Sequence, residues 1–127
     1  MDFQEALRAR LLEPAHAAGR IHWVDRPQAS TLPAITLQTV TDGRPQTMDG
    51  FQGSRPTTVQ IDIWGNTYAE VKGITESVIA TLAPAEVSNG IKFSRGFFTA
   101  VRDLGEQGDT KFIHRASVDF TVWQATE

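Results

Sequence analysis

Val59-Gln-Ile-Asp-Ile-Trp64, then Gly65-Asn66, then Thr67-Tyr-Ala-Glu-Val-Lys-Gly-Ile74 is the stretch in which the hydrophobic period changes from two to nearly four. Val59, Ile61 and Ile63 fall on one face of a strand, with Gln60, Asp62 and Trp64 on the other. Gly65-Asn66 reads as a turn. Thr67 and Glu70 have the spacing of a capping box, and Val71, Ile74, Val78 and Leu82 trace one stripe of a helix that Pro84 stops. A half-apolar strand feeding an amphipathic helix predicts a sheet with helices packed on one face.

Towards the N-terminus, Asp2 and Glu5 form a similar capping pair, and Phe3, Leu7 and Leu11 make a helical stripe. This predicts a helix over about 3–17, disturbed near Pro14 and left through Gly19. Ile21-His22-Trp23-Val24 reads as a short strand. Ala34–Thr41 alternates and makes a second, with Pro33 at its start. Asp42–Arg55 holds three glycines and one proline and predicts an extended, irregular loop before the strand at 57–64. A loop of that length in a compact domain is usually functional or disordered.

Towards the C-terminus, Ile91–Val101 and Lys111–Trp123 read as two long strands joined by polar Arg102–Thr110. In the last strand Phe112, His114, Ala116, Val118, Phe120 and Val122 share one face. At that length either part of the hairpin projects beyond the domain or a bulge breaks it, and Gly96, before the adjacent Phe97 and Phe98 that violate alternation, is the expected bulge. The expected fold is α+β, order αβββαββ: a mostly antiparallel sheet of four to five strands with two helices on one face. Residues 1–127 read as one domain, a size that supports a single core.

Composition narrows the function. The chain has no cysteine, which removes disulfides, thiolate nucleophiles and Cys-based metal sites. Net charge is −3, against the positive surplus of a nucleic-acid binder. No apolar run reaches the roughly 18 residues of a membrane span, and the N-terminus lacks a signal-peptide pattern. His16, His22 and His114 have no helical metal-ligand spacing. Asp62 and Asp119 could imitate a hydrolytic dyad if their strands were neighbours, but solvated strand faces commonly carry Asp. Gly50-Phe-Gln-Gly53 precedes a strand and lacks the basic residues of an RNA-binding G-x-x-G loop. No catalytic residue, cofactor or metal is expected. Nine arginines against three lysines, and Trp64 and Trp123 on non-core faces, suit a protein interface.

In order and spacing these segments resemble the tail-terminator (tail-completion) family of long-tailed bacteriophages and related phage-like particles. The residues that carry the resemblance are Gly19-Arg20-Ile21 after a leading helix, Leu32-Pro33 opening a strand, Val59–Trp64 passing into Thr67–Ile74, and the closing Val118-Asp-Phe-Thr-Val-Trp123. It covers about residues 3–123. The resemblance implies a structural virion protein, assembled in the host cytoplasm and lying at the head-proximal end of the tail.

There it would form a homohexameric ring that caps the tail tube, stops polymerisation and receives the neck. Its implied partners are other copies of itself, the tail tube protein and head–tail connector or neck proteins. DNA could pass through the ring, without sequence-specific binding and without a membrane. On that basis the loop residues Arg44, Met48, Phe51 and Arg55 are expected to face the tube or lumen, and Trp64, Arg115 and Trp123 to meet a neighbouring subunit. The alternatives are a connector or neck protein of the same kind of particle and a small nucleic-acid-binding module.

Overall fold

The computed structural model describes residues 3–12, 21–23, 33–42, 46–47, 50–51, 54–88, 90–107 and 112–126. In chain order these form α1 (Phe3–Leu12), β1 (Ile21–Trp23), β2 (Ala34–Asp42), β3 (Gln46–Thr47), β4 (Gly50–Phe51) and β5 (Ser54–Gly65). They continue with α2 (Tyr68–Leu82), β6 (Glu86–Ser88), β7 (Ile91–Phe93), β8 (Phe97–Gln107) and β9 (Phe112–Thr126).

The principal sheet has seven strands in the order β1-β2-β5-β9-β7-β6, with β8 also paired to β9. It is mixed, because β1 runs parallel to β2. This corrects the expected αβββαββ order and the mostly antiparallel sheet of four to five strands. Three physical reasons account for the difference. Strands as short as β6 and β7, three residues each, are too brief to show a period. The direction of β1 is set by tertiary contacts: Arg8 Nε donates to the Ile21 carbonyl at 2.9 Å and Trp23 Nε1 to the Gln4 carbonyl at 3.2 Å. And the expected irregular loop contains a small ribbon, with Gln46 opposite Phe51 and Thr47 opposite Gly50.

The C-terminal half also differs from the expected hairpin. Ser94–Gly96 separate β7 from β8, so β9 has two neighbours along one edge: β8 opposite Phe112–Thr121 and β7 opposite Gln124–Thr126. The register shift falls between Phe98 and Ala100, not at Gly96. Gly96 instead lies where there is no room for a side chain: a Cβ there would run into the Phe120 ring and meet the Leu82 carbonyl oxygen at 2.6 Å. The polar stretch after Val101 continues β8 to Gln107, where backbone pairing with β9 holds it extended through Gln107 opposite Phe112. The length of β9 is matched by β5, which pairs with it from Ser54–Ala125 to Gly65–His114.

One face of the sheet carries the core. Ile35, Leu37, Val59, Ile61, Ile63, Ala116, Val118, Phe120 and Val122 point into it, with Leu7 and Leu11 of α1 and Val71, Val78 and Leu82 of α2 above them. The Val, Leu, Ile and Phe side chains among them each contribute about 1.5–3 kcal/mol when fully buried. The α2 start is capped as its sequence predicts: the Glu70 amide donates to Thr67 Oγ1 at 3.1 Å, and Glu70 Oε1 accepts from the Asn66 amide at 3.1 Å. Its other end is held by buried Arg10, whose Nη2 donates to the carbonyls of Thr81 and Pro84 at 3.0 and 3.2 Å. Arg10 Nε lies 2.8 Å from Glu86 Oε2, and its guanidinium covers the Phe93 ring. Burial pushes this guanidinium below its ordinary pKa and Glu86 pulls it back. The Asp2 cap, residues 13–17 of the expected first helix and His16 lie outside the described residues.

Candidate subunit interface

The opposite face of the sheet carries the residues that the helices leave uncovered. Alternation places Gln60, Asp62 and Trp64 of β5 there, beside Arg115, Ser117, Asp119, Thr121 and Trp123 of β9. Register then decides which of them meet.

Trp64 is directly opposite Arg115. The Arg115 guanidinium carbon lies 4.9 Å from the Trp64 ring centroid, and Nη2 reaches Asp62 Oδ2 at 3.1 Å. Trp64 Nε1 donates to Thr36 Oγ1 of β2 at 3.2 Å, so the indole is fixed at both its face and its edge. Asp62, 8% exposed, also accepts from Gln60 Nε2 at 3.2 Å. These residues form one cross-strand unit over β2, β5 and β9.

A second unit lies over β8 and β9. Arg102 grips Asp119 with both terminal nitrogens, at 3.1 and 3.2 Å, and donates to Ser117 Oγ at 3.3 Å. The hydrogen bond and charge of Asp119 raise the Arg102 pKa. Thr58 and Thr121 are bonded through their hydroxyls at 2.9 Å. Asp62 and Asp119 therefore do lie on neighbouring strands, opposite Ser117 and Gln60 respectively, and each carboxylate is engaged by its own arginine.

Trp123 stands apart from Trp64 and Arg115. It is eight residues beyond Arg115 on β9, about 26 Å along a strand. Its backbone is locked at the branch of the sheet: its amide donates to Ser94 Oγ and its carbonyl accepts from the Ser94 amide, both at 2.9 Å. Its indole remains 42% exposed. Phe97, 55% exposed, lies opposite Thr121, the next residue on the same face of β9. The sequence reading selected Trp123 but missed Phe97, because only the register places Phe97 opposite Thr121, two residues from Trp123 on the same face.

Of the expected tube-facing residues, Arg44 and Met48 lie outside the described residues. Phe51 is in β4, opposite Gln46, and Arg55 is in β5, opposite Gln124. His22 lies on β1 and His114 on β9, where its ring is 6.5 Å from that of Tyr68. Among the described residues no three His, Asp or Glu converge as metal ligands. The face carries an arginine stacked on a tryptophan, two arginine–aspartate pairs and two exposed aromatics, Phe97 and Trp123, and aromatic and arginine side chains are the ones enriched in protein contacts.

Comparison with known proteins agrees with that chemistry. A search of curated proteins finds no match. Among solved structures, a chain from the virion of a native gene transfer agent particle shares the fold at a TM-score of 0.69 and 14% identity, over 97% of this chain and 94% of that one. Another solved chain matches at a TM-score of 0.57 and 13% identity, over 98% and 92% of the two chains. The family model of tail completion protein gp17 matches residues 5–125, nearly the whole sequence, and this protein belongs to that family of structural proteins of the virion tail.

Proposed function

We propose that this protein closes the head-proximal end of the tail tube as a ring of six copies, stopping polymerisation and offering the neck its docking surface. The observation that carries this reading is the tail completion match over residues 5–125. The exposed aromatic branch point of the sheet supports it. A tube grows because each ring presents its successor with a repeating heterologous surface, and growth continues until something caps it. A cap must match the last ring on one side and differ on the other.

In this reading Trp123, with an exposed indole on a fixed backbone, anchors the contact between subunits. Rigid aromatics dominate such contacts because they bury a large area at little entropic cost. Trp64 and Arg115 contribute as a preformed stacked pair. The segment carrying Arg44, Met48, Phe51 and Arg55 faces the tube or the lumen.

Removal of Gln46–Gly53 tests the tube contact. The segment's β3–β4 ribbon pairs within itself, so the deletion should leave a folded chain that no longer caps tubes. Normal-length tails made with the deleted chain would overturn the assignment.

A further inference from the structure

We infer that copies of this chain join through the two ends of α2: Tyr68 and Asp103 of one copy seat in a cavity beside Arg95 of the next. The inference rests on the ring reading above and names the surfaces through which copies meet.

The cavity lies where α2 ends. Ala83, Pro84, Ala85 and Arg95 line a space of about 360 Å³. Its wall is held by backbone bonds: the Ala83 amide donates to the Ile79 carbonyl, and the Ala83 carbonyl accepts from the Gly96 amide, both at 2.9 Å. Three of the four lining side chains are hydrocarbon, and the fourth is an exposed arginine. A hollow of that size and chemistry suits an aromatic ring with a carboxylate beside it. Arg95 also follows Ser94, which holds the backbone of Trp123, so the cavity adjoins the tryptophan assigned above to the subunit contact.

The same chain presents such a group at the other end of α2. Tyr68, the first residue of the helix, is 49% exposed. Its hydroxyl donates to Asp103 Oδ2 at 3.5 Å, and Asp103 is itself exposed, opposite Ala116 on the helix face of β8. Phenol and carboxylate thus stand together at the start of α2. The cavity and its guanidinium lie at the end, about 22 Å away along a helix of 15 residues. The helix holds the two apart, so a chain cannot fill its own cavity with Tyr68.

Shape and charge both favour a second copy as the occupant. Tyrosine and arginine are enriched among the residues that dominate binding, where they work in well-packed pockets that exclude water. Asp103 against Arg95 supplies one pair of opposite charges. The charges beside them are opposite too: Lys72, one turn along α2 from Tyr68, and Glu86, which follows Ala85 and stays half-exposed while it holds Arg10. Glu106 falls opposite Ile113, on the other face of the sheet. Knob and cavity are unlike and sit at opposite ends of one helix, so each copy can use both at once. That is the head-to-tail, heterologous contact that closes a ring.

The test is analytical ultracentrifugation of the full chain from low to high micromolar concentration. Wild type should self-associate. Tyr68→Ala, Asp103→Arg and Arg95→Asp should each weaken association by about tenfold or more at an unchanged melting temperature, since all three side chains are exposed. The double exchange, Asp103→Arg with Arg95→Asp, should recover most of that loss, which two independent surface changes would not do. A wild-type chain that stays monomeric throughout, association unmoved by Arg95→Asp, or a double variant no better than the single ones would overturn the inference. The capping reading fails separately, on tail length in particles that lack the chain.

Discussion

Arg115 and Trp64 face each other across β9 and β5, the guanidinium stacked on the indole and bonded to Asp62 from the same position. One arginine thereby satisfies a largely buried carboxylate and fixes an aromatic ring on the face of the sheet opposite the helices. Truncating it should cost more than a surface ion pair. Arg115→Ala is expected to destabilise the fold by about 1–3 kcal/mol in urea unfolding, because Asp62 loses its charged partner. A change within the few tenths typical of solvated pairs would show that the stack contributes nothing.

The two tryptophans should behave differently. Trp64→Ala removes an indole held by Arg115 and Thr36, and should lower the melting temperature of the isolated chain. Trp123→Ala removes a half-exposed ring whose backbone bonds to Ser94 survive, and should leave the melting temperature nearly unchanged. Its effect should instead fall on assembly, weakening association by about 2 kcal/mol or more if the residue is an interface anchor. Equal losses of stability in both variants would return Trp123 to the packing of the monomer.

Two glycines give opposite expectations. Gly96→Ala drives a methyl group into the Phe120 ring and the Leu82 carbonyl, and a backbone oxygen at the end of a helix cannot swing aside. A loss of about 1–3 kcal/mol is expected. Gly73, inside α2, has nothing within 4 Å of a Cβ. Gly73→Ala should stabilise by about 0.5–1 kcal/mol through helix propensity alone. Denaturant midpoints of the pair check both signs at once.

Arg10 ties α1 to the C-terminal turn of α2 and to β6 through Thr81, Pro84 and Glu86. Arg10→Met keeps most of the apolar stem but removes the donor to two carbonyls and the partner of a solvent-exposed carboxylate, with an expected loss of about 1–2 kcal/mol. Arg10→Lys should recover only part of it, since an ammonium cannot fork across these acceptors. Full recovery by lysine, measured by chemical denaturation, would mean that charge alone matters there.

Several local elements are legible in the sequence, while the sheet's order and its mixed character are not. The Thr67–Glu70 cap, the Val71–Leu82 stripe and the alternation that buries Ala116, Val118, Phe120 and Val122 are local patterns, and the chain adopts each of them. What escaped depends on contacts between distant segments. The parallel direction of β1 is imposed by α1. β6 and β7 are too short for any period to register. Arg102 was read as part of a polar connection because its partner, Asp119, is 17 residues away and is found only through strand register. The same holds for the face opposite the helices: Trp64, Arg115 and Trp123 could be chosen by residue type, but their division into a fixed pair and a separate, exposed tryptophan could not.

The most direct test of the capping role is electron microscopy of particles assembled without this protein. Tubes that run past their normal length or lack heads are the predicted result. Tails of ordinary length joined to heads would contradict it.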